Sequence, residues 1–115
     1  ILSKDFIVNF RNNIINIHPS LLPKFKGLNT HKRVLKNREK YSGCTVHFVD
    51  SGIDTGLIIA QRKVPVFSED TLTELQDRVK KEEHILYPQV IDALCENRLH
   101  HVMSSARFKV LSDNK

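Results

Sequence analysis

The chain has 115 residues, 40% hydrophobic and 27% charged, with a formal net charge of +5. That length holds one hydrophobic core and no second one, and the apolar runs are too short for a membrane span. The basic residues are spread along the chain and Trp is absent, which argues against a single-strand nucleic-acid binder and leaves room for a basic cleft that takes a phosphorylated or polyanionic small molecule.

In chain order, Ile14-Ile15-Asn16-Ile17 is a short apolar run expected to form a buried strand that delivers polar side chains at its tip. Pro19 holds His18 in extended backbone and Pro23 does the same for Leu22, so 18–27 reads as a rigid loop closed by Gly27. A brief helix is expected over 30–36, with Thr30 as its cap. Residues 43–49 alternate as a strand, with Thr45 and His47 on one face and Val46 and Phe48 on the other. Gly52 and Gly56 bracket a turn, and 57–66 returns as an adjacent antiparallel strand.

Thr71-Leu72-Thr73-Glu74 matches a capping box. Leu72, Leu75, Val79, Leu86, Val90 and Leu94 then recur at helical spacing, predicting about six turns with a kink at Pro88. Lys80-Lys81 beside Glu82-Glu83 reads as a solvated helical face, yet Glu83 falls beside the apolar stripe. One or two edge strands are expected over 98–110.

The chemistry concentrates at two loops. Asn16 and His18 share a strand face by period two. An imidazole exchanges protons near neutral pH, and an amide beside it can donate to a developing oxyanion; the plainer alternative is an ordinary hydrogen-bonded histidine. Asp54 reads either as an Asx-turn residue or as a carboxylate that raises the pKa of His18 and relays protons through water. His47 reads as structural. Without a C-x-x-C, H-x-x-x-H or H-x-E cluster no metal is expected. Cys44 and Cys95 read as free thiols of a cytoplasmic protein. Acyl or formyl transfer to an amine needs these parts and no serine or cysteine nucleophile, in keeping with the lack of a G-x-S-x-G elbow.

The run from Asn16 to Gly27, then Thr30-His31, Gly43-Cys44-Thr45-Val46-His47-Phe48-Val49 and Asp54-Thr55-Gly56 resemble the phosphoribosylglycinamide formyltransferase family. Gln61, Val64-Pro65-Val66, Arg78-Val79, Glu83-His84 and Tyr87-Pro88 extend the resemblance to about residue 102. It implies an α/β fold: the C-terminal half of a formyltransferase Rossmann-like domain, a mixed sheet with flanking helices, its N-terminal nucleotide-binding strands missing. The implied reaction moves a formyl group from 10-formyltetrahydrofolate, a co-substrate, to the amine of glycinamide ribonucleotide.

By motif position, the resemblance makes Asn16, His18 and Asp54 catalytic. It gives the folate to Ile1, Leu2, Ile7, Ile14, Asp50, Ser51, Gly52, Ile53 and Asp54, and the ribonucleotide to Ile17, Pro19, Ser20, Lys80 and Glu83. Lys80 stands where the family usually has Gln. The implied partners are these small molecules, with no nucleic acid and no membrane, together with self-association or a missing N-terminal half. Methionyl-tRNA formyltransferase and formyltetrahydrofolate deformylase share the Asn, His and Asp pattern, and a non-catalytic formyltransferase remnant would keep it as well.

Overall fold

The computed structural model describes residues 7–10, 13–101 and 111–112. In chain order the elements are β1 (Ile7–Phe10), β2 (Asn13–His18), α1 (Thr30–Lys36), β3 (Tyr41–Phe48), β4 (Ile58–Pro65), α2 (Leu72–His101) and β5 (Leu111–Ser112). They form a five-stranded sheet in the order β1-β2-β3-β4-β5. The first four strands pair antiparallel and β5 runs parallel to β4, so the sheet is mixed, as the sequence led us to expect.

Cross-strand register divides the side chains between two faces. Ile17 stands opposite Val46, and Val46 opposite Ala60, putting three apolar chains on the face that packs against α2. His18 stands opposite Thr45, and Thr45 opposite Gln61, on the other face. One interruption matters: pairing slips between Val46 and His47, whose partners are Ala60 and Ile58. The extra residue, Ile59, is accommodated as a bulge, and consecutive Ile59 and Ala60 are both buried in the core.

Leu75, Val79, Leu86, Val90 and Leu94 of α2 are all buried, four or seven apart, and each contributes about 1.5–3 kcal/mol when withdrawn from water. The Tyr87 hydroxyl donates to the Ile15 carbonyl at 2.8 Å, pinning the helix to β2. The capping box forms as expected: the Thr71 amide donates to Glu74 Oε1 at 3.0 Å, and the Glu74 amide to Thr71 Oγ1 at 3.1 Å.

Several expectations are corrected. Helix α2 runs for 30 residues, through Pro88; the missing amide of Pro88 forfeits one backbone bond, to the carbonyl of His84, while Tyr87 and Val90 on either side stay anchored in the core. Residues 98–101, expected in an edge strand, belong to that helix, and 102–110 lie outside the described residues. Thr30 is not the cap of α1. Asn29, at φ 56°, precedes the helix without a side-chain cap bond, and the Thr30 hydroxyl donates to the Pro19 carbonyl at 2.9 Å. Ile14 is 41% exposed rather than buried. The Glu82-Glu83 step is no simple solvated face either, because Glu82 pairs with Arg62 at 2.9 Å and Glu83 is half-buried.

Candidate active site

The polar face of the sheet is covered by the loop that follows β2. Thr45 and Gln61 sew it down. Thr45 Oγ1 donates to the Ser20 carbonyl at 2.7 Å and accepts the Leu22 amide at 3.1 Å. Gln61 Nε2 donates to the Leu22 carbonyl at 2.8 Å and to Thr45 Oγ1 at 3.0 Å. Ser20, fully buried, donates its hydroxyl to the Lys24 carbonyl at 2.7 Å, and the Arg33 guanidinium donates to the Leu28 carbonyl. The loop is rigid because its backbone groups are spoken for, which extends the proline argument made from sequence; the Leu22–Pro23 peptide is cis.

This loop and the aspartate turn meet at His18. The Nε2 atom lies 2.9 Å from the Phe25 carbonyl oxygen, which can only accept, so Nε2 carries the hydrogen. Nδ1 lies 3.4 Å from Asp54 Oδ2, a separation that becomes a hydrogen bond when the ring is doubly protonated. Asp54 Oδ2 also accepts the Gly27 amide at 2.8 Å. Its other oxygen, Oδ1, lies 3.7 Å from His47 Nε2, a buried nitrogen with no hydrogen-bond partner among the described residues. The carboxylate thus stands between two imidazoles. Asn16, half-buried, lies opposite His47 in the strand register and accepts the Ile17 amide on its Oδ1 at 2.8 Å.

Burial pushes the His18 pKa below the ordinary imidazole value. The Phe25 carbonyl and the Asp54 carboxylate pull upward without overcoming it, and His47 and Arg33 add to the lowering. Asp54 thus raises His18, as expected, and burial outweighs it. His31 on α1 is lowered too, first by burial and then by His18. Among the described residues no group of three or more His, Cys, Asp or Glu is placed to hold a metal ion.

The aspartate turn has its own architecture. Asp50 Oδ1 accepts the Gly52 amide at 2.9 Å and the Thr55 hydroxyl at 2.7 Å, bonds that hold its carboxyl below the usual range, Thr55 foremost. Asp54 sits at φ 54°, a left-handed conformation that aspartate tolerates better than most residues. Gly56 permits the close return: a Cβ there would lie 1.6 Å from the Phe48 carbonyl oxygen. Ser51, Gly52 and Ile53 are exposed. Ile14, Val49, Ile53 and Leu57 form an exposed apolar group around this end of the sheet, where the Val49 amide bonds to the Ile14 carbonyl and the Phe48 amide to the Leu57 carbonyl.

The remaining sequence candidates are spread more widely. Ile17 is in the core, offering its backbone and not its side chain to the polar face. Pro19 is half-buried and Lys80 exposed. Glu83 projects from α2 on the core side of the sheet, where burial pushes its carboxyl up to about 7 against the lowering effect of Lys80. It also helps raise the buried Cys44 thiol, for which burial is the larger cause; that thiol stays protonated and is no nucleophile. Ile7 lies on β1 opposite Asn16, and Ile1 and Leu2 fall outside the described residues. His47, Thr45 and Gln61 were not singled out for the site. The signal for them was the face shared with His18: a polar face that alternates with a core face and is itself buried must have partners.

The formyl transferase family model matches residues 1–91. A phosphoribosylglycinamide formyltransferase of Haemophilus influenzae is 46% identical over 99 residues, covering 86% of this chain and 47% of its own length. The chloroplastic phosphoribosylglycinamide formyltransferase of Vigna unguiculata is 50% identical over 100 residues, covering 83% of this chain and 32% of its own. Among solved structures, the phosphoribosylglycinamide formyltransferase of Anaplasma phagocytophilum superposes with a TM-score of 0.71 at 46% identity, covering 72% of this chain and 40% of that one. The chain spans less than half the length of each of these relatives.

Proposed function

The chain belongs to the formyl transferase family, and from that premise we propose that it is the catalytic, folate-binding half of a phosphoribosylglycinamide formyltransferase. The reaction passes the formyl group of 10-formyltetrahydrofolate to the amine of glycinamide ribonucleotide, a step of purine synthesis. The observation that carries the reading is the Asp54 carboxylate 3.4 Å from His18 Nδ1, set beside Asn16 in a chain whose relatives bear that name.

In this reading the amine attacks the formyl carbon, a C–N bond forms, and charge grows on the formyl oxygen. Asn16 and His18 donate to that oxygen. Both ring nitrogens of His18 already face acceptors, Phe25 O and Asp54, so one contact exchanges for substrate as the site fills. Collapse breaks the bond from the formyl carbon to the folate nitrogen. The proton shed by the amine passes to that nitrogen through His18, with Asp54 holding the ring while it is charged.

The apolar group at Ile14, Val49, Ile53 and Leu57 suits the flat face of a folate, and the Asp50–Asp54 turn supplies its polar edge. Glu83, Lys80, Pro19 and Ser20 are assigned to the ribonucleotide side by the family resemblance. No helix among the described residues is long and apolar enough to cross a membrane; the cytoplasm is assigned to the reaction by the family resemblance alone.

The test supplies the full-length protein with 10-formyltetrahydrofolate, with and without glycinamide ribonucleotide, and follows both formylated product and free formate. Product that requires the ribonucleotide supports transfer. Formate released at the same rate without it would make the protein a deformylase instead.

A further inference from the structure

Apart from the His18 site, a cavity of about 370 Å³ opens where the proline loop passes the end of α1 and the start of β3. None of Asn16, His18, His47 or Asp54 lines it. Its walls include Leu21, Phe25 and Val34, an apolar surface, while Arg38 and Lys40 stand at its exposed margin. Neither of those cations has an ion-pair partner among the described residues, whereas neighbouring Lys24 is neutralised by Glu39 at 2.7 Å. The cavity therefore presents two uncompensated positive charges beside an apolar wall.

A second, independent feature lies in the same lining. Ser42 is 1% exposed, and its hydroxyl has no hydrogen-bond partner among the described residues. A buried hydroxyl left unpaired costs about 1–3 kcal/mol, a cost that a ligand atom in the cavity would remove. The volume is within the range of small-molecule sites, and a guanidinium and an ammonium on one margin suit the charge of a phosphate dianion.

We propose that this cavity binds a phosphomonoester of a small, flat organic body. The body lies on Phe25 and Leu21 and pairs a polar atom with Ser42 Oγ, and the phosphate lies between Arg38 and Lys40. Occupancy is felt at the catalytic histidine, because the Phe25 carbonyl is the group that holds His18 Nε2.

The probe is uridine 5′-monophosphate, titrated into the full-length protein and followed by amide NMR, with uridine and inorganic phosphate as separate arms. The expected result is saturable shifts at Phe25, Tyr41 and Ser42, accompanied by the His18 ring, with the monophosphate binding at least about tenfold tighter than either fragment. Arg38→Gln and Lys40→Gln should each weaken it, and Lys81→Gln, a charge lost elsewhere, should not. Ser42→Ala breaks no existing hydrogen bond, so it keeps the fold and should still weaken binding. Shifts absent at these amides, equal affinity for inorganic phosphate, or wild-type binding by Arg38→Gln and Ser42→Ala would each overturn the proposal.

Discussion

Asp54 Oδ2 accepts the backbone amide of Gly27 at 2.8 Å, and that single bond ties the aspartate turn to the far end of the proline loop. It leaves the same oxygen 3.4 Å from His18 Nδ1. Position and charge are thus two separate contributions of one carboxylate, and they can be separated by substitution.

Asp54→Asn keeps an oxygen for the Gly27 amide and removes the negative charge. Because the carboxylate pulls the His18 pKa upward while burial pushes it down, the variant should hold His18 still lower. An NMR titration of the imidazole checks this; a pKa that rises, or does not move, would detach Asp54 from His18.

The pH dependence of stability has two opposing parts. His18 and His31 have folded pKa values below the ordinary imidazole value of 6.5, so as pH falls through that value the unfolded chain takes up protons first and stability is lost. Glu83, raised to about 7 from 4.5, does the reverse: its burial cost is absent below pH 4.5, grows as pH rises, and is complete above about 7. Glu83→Gln should therefore stabilise the protein by roughly 1–3 kcal/mol at pH 8 and by little at pH 4. Thermal melts at the two pH values read the difference, and an equal effect at both would show that Glu83 is not buried as a charge.

Tyr87→Phe keeps the buried ring and removes the bond to Ile15 O. Loss of this buried bond should cost about 1–2 kcal/mol in a denaturant titration, without a change in its slope. Loss of less than a few tenths would mean that α2 is held by apolar packing alone.

Gly56→Ala would drive a methyl into the Phe48 carbonyl. Since the collision is with backbone, the aspartate turn must move, and Asp54 with it. Weakened folate binding with α2 still cooperative in melting is expected; unchanged folate affinity would contradict the placement of this turn.

Much of this was legible beforehand, for definable reasons. The capping box at Thr71 and Glu74, the β3–β4 pairing and the His18 and Asp54 loops are each carried by local spacing, and each was readable as such. The length of α2 beyond Leu94 was not, because the apolar periodicity weakens after that residue. Thr30 looked like a cap from its place in sequence, whereas its hydroxyl was taken by Pro19, which only tertiary structure brings near. His47 was read as structural because nothing in one strand reveals that a turn seven residues on folds back against it. The sign of the His18 shift depended on how deeply the proline loop buries the ring, a quantity with no sequence signature.

The central claim is that His18 and Asp54 act together on a reacting formyl group. It is tested most directly by formyl transfer to glycinamide ribonucleotide in the full-length protein, comparing wild type with His18→Gln, Asp54→Asn and the double variant. The account predicts a loss of turnover of about 10²–10⁴-fold in each single variant, KM little changed, and a double variant hardly worse than the poorer single one. Turnover near wild type in either single variant, or losses that multiply in the double, would contradict it.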